Sequence, residues 1–210
     1  MEEPGKKSKT TKEYIEDQIE SLTQNPECGT THYNLAIGLI KEKKWDDAIE
    51  ELTAAVDASP TLGEAYVALG GIYFQRGHLD LCIKFNKKAI EVRPKLAPAY
   101  GNVGFAYLQK GDPASAVEYL EKAVSINPQF IQGHSTLASA YYMLGRLEDS
   151  IAASKKALEL EPTFAVAHNN LGLAYFEKGD YTEAIEHCDK AVEYGFNVEP
   201  KFLEQLEGHR

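Results

Sequence analysis

A 34-residue pattern repeats five times without interruption between Gly29 and Val198, and this period limits what the chain can fold into. On that register one alanine recurs as Ala55, Ala89, Ala123, Ala157 and Ala191. A second small position reads Ala36, Gly70, Gly104, Ala138 and Gly172, and a third Ala48, Cys82, Ala116, Ser150 and Ala184. Tyr73, Tyr107, Tyr141 and Tyr175 follow the second small position by three residues, with Leu39 in the first copy. Pro60, Pro94, Pro128 and Pro162 close four copies. Self-similarity at fixed spacing predicts a solenoid, in which each unit buries its apolar face only against its neighbours.

Within a copy the apolar residues are spaced by three and four, the spacing of amphipathic helices. In the second copy Tyr66, Leu69, Gly70 and Tyr73 define one helix, and Leu79, Cys82, Ile83, Ala89 and Ile90 a second. Gly77, Gly111, Gly145 and Gly179 mark the turn between them, where a helix C-terminus favours a left-handed residue. The first copy carries Lys43 there and is expected to turn by other means. Small residues recur because two helix backbones approach closely only where neither presents a large side chain. The fold class is therefore all-α, built from helix pairs.

The flanks keep the same register. Pro26 precedes Pro60 by one period, as Ile15 and Leu22 precede Ile49 and Val56. Residues 11–28 thus read as an N-terminal capping helix and linker, and residues 1–10 as a solvated, disordered tail. Phe202, Leu203 and Leu206 give residues 199–210 the pattern of a C-terminal capping helix. Caps are expected because a bare end layer of a solenoid is an exposed apolar surface.

Charge excludes several functions. Acids outnumber bases by 32 to 22, for a net charge of −10, so phosphate backbones and anionic membrane surfaces repel the chain. Lys6, Lys7, Lys9 and Lys12 form a small basic cluster offset by Glu2 and Glu3. No apolar run reaches the roughly 18 residues that span a bilayer, and the N-terminus has no secretory apolar region. Cys28, Cys82 and Cys188 form no close pair, which fits a reducing compartment, and cytoplasmic residence follows as the default. Cys82 and Cys188 read as small buried hydrophobes. Motifs for nucleotide, zinc-protease, serine-hydrolase or calcium chemistry are missing, so neither a catalytic residue, a cofactor nor a metal is expected. His187 and Cys188 point about 100° apart on a helix and cannot both face one metal unaided. His168 aligns with His32, His134, Tyr66 and Tyr100 and is expected to pack between helices.

These residues resemble the tetratricopeptide repeat, a 34-residue helix-turn-helix unit, over repeats 29–62, 63–96, 97–130, 131–164 and 165–198. The resemblance implies a right-handed superhelical solenoid of antiparallel helix pairs whose first helices line a concave groove. It also implies a non-catalytic adaptor that holds a peptide or helix of a partner protein. His32, His134 and His168 stand where the family often has Trp or Tyr, and Asn86 and Ser154 replace usually larger residues. Groove positions on each first helix would be the sixth, ninth, twelfth and thirteenth. The sixth supplies Asn34, Asn102 and Asn170, whose carboxamides can donate to and accept from a partner backbone. Asparagine is also common at that position across the family, so both readings stand. The ninth and twelfth supply Ile37, Phe74, Phe105, Leu108, Tyr142 and Phe176, either as anchors for partner side chains or as packing between repeats. Lys41 and Glu177 bring charge near the ends. The family's carboxylate clamp is not matched, because the corresponding places hold Tyr33, Ile37, Ala68, Pro98 and Asn102. A self-assembling structural scaffold (a homo-oligomer) and an accessory subunit of a multi-protein enzyme complex are the alternatives to an adaptor.

Overall fold

The computed structural model describes residues 9–210, which form helices joined by short turns. Most of the expected tail, Lys6 and Lys7 included, lies outside the described residues. Helix α1 (Thr11–Gln24) opens on a capping box. The Thr10 hydroxyl accepts from the Glu13 amide at 3.3 Å while the Glu13 carboxylate accepts from the Thr10 amide at 2.8 Å. The pair satisfies two donors that a helix start otherwise leaves open. The Thr10 amide and hydroxyl hold the Glu13 carboxyl below the usual carboxylate range.

The chain divides into two compact units at Leu96 and Ala97. In the first, α1 packs on α2 (Gly29–Lys41), and α2 and α3 (Trp45–Ala58) form a pair, as do α4 (Gly63–Gln75) and α5 (Leu79–Val92). Ile15 of α1 lies so near Gly38 that a β-carbon there would come within 2.7 Å of it. The second unit holds three pairs and a final helix. These are α6 (Ala97–Gln109) with α7 (Pro113–Ile126), α8 (Ile131–Met143) with α9 (Leu147–Leu160), and α10 (Ala165–Lys178) with α11 (Tyr181–Glu193), followed by α12 (Pro200–Glu207).

Why the pairs close is visible at the small positions. All five recurring alanines, Ala55, Ala89, Ala123, Ala157 and Ala191, are fully buried. A β-carbon at Gly104 would stand 2.5 Å from Leu120 Cγ. Gly70 likewise accommodates the buried Asn86, and Gly172 the Cys188 thiol, so a side chain larger than alanine on one helix is matched by a glycine on its mate. The Asn86 amide donates to the Cys82 carbonyl at 2.9 Å, which lets a polar side chain occupy a helix crossing. Burial pushes the Cys82 and Cys188 thiols up to about 11, consistent with inert packing.

The turns share one geometry. Gly77, at φ 75°, precedes His78, whose amide donates to the Tyr73 carbonyl at 2.9 Å, a closure that needs a left-handed residue. Lys43 takes the same conformation at φ 59°, and the Lys44 amide reaches the Leu39 carbonyl at 2.9 Å. The first copy therefore turns like the others, with the left-handed cost borne by a lysine rather than avoided.

Histidines at the fourth repeat position do more than fill space. The Nε2–H groups of His32, His134 and His168 donate to the carbonyls of Pro26, Pro128 and Pro162 at 2.9, 2.9 and 3.1 Å. Each bond ties the start of a first helix to the proline that ended the preceding segment. At the far end Phe202 and Leu206 of α12 are buried against Ala184, Cys188 and Ala191, which closes the last pair.

Candidate functional site

Three first helices of the second unit, α6, α8 and α10, carry a distinctive composition. The segments APAYGNVGFAYLQ and IQGHSTLASAYYM contain no Asp, Glu, Lys or Arg, and α10 has none before Glu177. Charged residues make up 26% of the chain, so they have been displaced to the second helices, turns and termini.

An apolar hollow of about 440 Å³ opens among these helices. Its walls are Phe105 with Gly101 from α6, Phe130 and Phe164 from the turns ahead of α8 and α10, and Val166 from the first turn of α10. Asn102, Gln132, Ser135 and Thr136 supply hydrogen-bonding groups around it. Local structure fixes the two turn phenylalanines. Phe130 and Phe164 are the residues at which α8 and α10 begin, and their amides donate to Asn127 and Glu161 carbonyls, both at 3.1 Å. Phe130 lies over two glycines: a β-carbon at Gly101 or Gly133 would meet its ring at 2.5 or 2.6 Å. Phe105 and Val166 are 38% and 37% exposed, which leaves the hollow open to a ligand.

The residues expected from sequence are distributed unevenly. Asn102 and Phe105 line the hollow. Asn170 differs from expectation: it is 6% exposed, and its amide donates to the Ser135 carbonyl at 2.9 Å while its carbonyl accepts from the Ser139 hydroxyl at 3.2 Å. It stitches α10 to α8 and holds the wall of the hollow rather than a partner's backbone. Asn170→Ala is expected to lower stability by about 1–2 kcal/mol, read from urea unfolding of the full chain, because the Ser135 carbonyl loses a buried donor. Phe176 also differs, packing edge-on against Phe202 at 5.2 Å and beside His209, so α12 covers it. Leu108 packs half-buried against the cluster of Leu120, Leu137 and Tyr141. Tyr142 donates to Glu177 at 3.4 Å; burial and that carboxylate raise its pKa. In the first unit Asn34 and Ile37 are half-buried on α2, Lys41 is exposed at its end, and Phe74 is half-buried on α4.

Gly101, Phe130, Ser135, Phe164 and Val166 were not among the expected residues. Their signal lies at the fifth position, where Gly101 and Ser135 replace the Tyr33 and Val67 of earlier copies, at the thirty-fourth, where Phe130 and Phe164 replace Leu62 and Leu96, and at the second, where Val166 replaces Thr30, Glu64, Pro98 and Gln132.

No group of three or more His, Cys, Asp or Glu side chains among the described residues is placed to hold a metal. No helix among them is long and apolar enough to cross a membrane. His168 and His187 do meet, Nδ1 to Nδ1 at 2.9 Å, a hydrogen-bond distance with one proton between the rings. Tyr175 stacks on His187 with ring centres 5.8 Å apart.

Family comparisons decide the architecture. Models of the tetratricopeptide repeat match residues 39–103, 97–130 and 165–194, and a TPR repeat model matches residues 138–179. The chain belongs to the tetratricopeptide repeat family. Solved structures agree with it. The TPR protein YrrB, described as having an unusual peptide-binding site, aligns with a TM-score of 0.75 at 19% identity, covering 92% of this chain and 99% of its own. PilF of Pseudomonas aeruginosa aligns with a TM-score of 0.82 at 16% identity, over 95% of this chain and 90% of its own. MamA aligns with a TM-score of 0.69 at 24% identity, over 82% of this chain and 98% of its own. At these identities the likeness is one of fold. No curated protein matches the sequence.

Proposed function

We propose that this tetratricopeptide repeat protein is a non-catalytic interaction scaffold that holds a largely uncharged segment of a partner protein against the α6, α8 and α10 face. The observation that carries this reading is an apolar hollow among helix segments that carry no charged residue before Glu177, in a chain of net charge −10. A buried hydrophobic anchor ringed by hydrogen-bonding groups is how protein interfaces concentrate their affinity. YrrB, similar over nearly its whole length, is described as a TPR protein with a peptide-binding site, which supports a peptide as the ligand class. Asn102 is the candidate for partner backbone, and Phe105 for partner side chains. On the first unit Asn34, Ile37, Lys41 and Phe74 are candidate contacts of the same kind. The reading includes cytoplasmic residence, where thiols such as Cys28, Cys82 and Cys188 stay unpaired.

The test is selection of 12-residue peptides from a display library on the full chain, followed by titration of the selected peptides. Affinities are expected to change by less than about threefold between 50 and 300 mM salt, because screening acts on charge pairs that the lining of the hollow does not offer. A steep loss of affinity with salt would place binding on the charged second helices instead.

A further inference from the structure

The structure assigns the hollow between Phe105, Phe130, Phe164 and Val166 to one uncharged aromatic side chain, Trp or Phe, projecting from the partner segment. This inference rests on the proposed binding reading and narrows it to a chemical class.

Four observations converge on that class. The first is chemistry: the lining residues are phenylalanine, valine, glycine and neutral hydrogen-bonding residues, with no ionisable side chain among them. A carboxylate or ammonium entering the hollow would lose its water and find no counter-ion, whereas an aromatic ring loses little. The second is shape. Three phenylalanines line the space, and rings pair well with another ring in edge-on or offset geometry. Its volume of about 440 Å³ is at the small end of the ~300–1,000 Å³ typical of ligand sites, enough for one large side chain with its adjoining backbone. The third is preorganisation. Gly101 and Gly133 leave no room for a β-carbon beneath Phe130, and Asn170 locks α10 to the Ser135 carbonyl, so the walls stand ready without a partner. The fourth concerns the occupant. Residues 1–8, MEEPGKKS, contain no aromatic residue and carry Glu2, Glu3, Lys6 and Lys7, so that segment does not match the hollow. A partner segment that carries Trp or Phe does. Ser135 and Thr136 share the hollow with Asn102, which places hydrogen-bonding groups where backbone beside the anchor would lie.

The experiment titrates the full chain with N-acetyl-tryptophanamide, N-acetyl-leucinamide, N-acetyl-lysinamide and N-acetyl-glutamate α-amide, read by amide chemical shifts. The tryptophan compound is expected to shift the amides of Gly101, Phe105, Ser135 and Val166 and to bind at least about tenfold more tightly than the lysine and glutamate compounds. Phe105→Ala and Val166→Glu should each remove those shifts. Both sites are more than a third exposed, and an acid in the first turn of α10 suits the helix dipole, so the variants keep the fold, as circular dichroism checks. Binding of the leucine compound as tight as that of the tryptophan compound, equal binding of the charged compounds, or shifts that survive Val166→Glu, would overturn the assignment. The library peptides separate the two levels of the argument. Peptides that bind this face without needing an aromatic residue overturn the anchor and leave the scaffold reading standing. Failure of every selected peptide, with the tryptophan compound still filling the hollow, overturns the scaffold reading.

Discussion

Leu171→Ala is expected to lower the unfolding free energy by about 2–5 kcal/mol, the largest stability effect of any change considered for this chain. Leu171 is fully buried on α10, packed with Ile151 and Ala174 and against the half-buried Tyr142, Leu158 and Tyr175. Truncation removes three carbons from this cluster, and the neighbours come from α8, α9 and α10, which cannot all relax toward one gap. A solenoid layer is stabilised mainly by its immediate neighbours, so the loss should be expressed first as fraying of the last two helix pairs. Urea unfolding followed by circular dichroism gives the total, and amide exchange places it. Exchange should accelerate from α8 to α12 before α2 to α5 respond. Val192→Ala, at a side chain half exposed on α11, is the control and should stay within about 0.5 kcal/mol of the parent. A Leu171→Ala change of similar size to the control would mean that α10 is not packed as described.

How much of this was legible before the structure depends on whether a residue's surroundings repeat with the period. The helix pairs, the glycine turns and the alanine crossings repeat, and they stand where the spacing put them. Phe176 shows the other case. Its equivalents Phe74 and Leu108 face the same way in the register, yet only Phe176 meets a terminal helix, through Phe202 and His209. Asn170, at the sixth position of its copy, finds Ser135 and Ser139 within reach in the preceding copy. A pairing between unlike copies is invisible to an alignment of copies with one another. The hollow was missed for a related reason. It arises from a small residue at the fifth position coinciding with an aromatic at the thirty-fourth, in adjacent copies only. Periodicity reports what is shared, whereas a binding site in a repeat protein lies in what is not.

His187 gives the second large effect, and its sign is set by burial. Burial first, and then the nearby charges of His168, Lys190 and Lys155, press its pKa down to about 4, against the opposing pull of Glu186. Only one proton fits between its Nδ1 and that of His168 at 2.9 Å, so charging both rings breaks the bond that joins α10 to α11. The folded chain thus binds fewer protons here than the unfolded chain between the ordinary histidine value of 6.5 and about 4. Stability from this site is present above pH 6.5 and is lost as pH falls through that window. Unscreened, the loss would be about 3 kcal/mol. Water reaches part of the ring, and about 2 kcal/mol is the better expectation. His32 runs the other way. Burial opposes its charge, but the Glu51 carboxylate at 2.6 Å and the Pro26 carbonyl raise its pKa, so its contribution is full below 6.5 and fades as pH rises. Comparing the parent with His187→Asn cancels His32 and the carboxylates remote from the pair, leaving Glu186 as the one acid whose titration His187 also influences. The asparagine amide can still donate toward His168 Nδ1 but does not titrate. The variant should be the less stable protein at pH 7, having lost the stack on Tyr175. Its stability should nevertheless fall between pH 7 and pH 4 by about 2 kcal/mol less than the parent's, measured by urea unfolding at each pH. Parallel curves for the two proteins would show that the His187 ring is not kept neutral by its burial between α10 and α11.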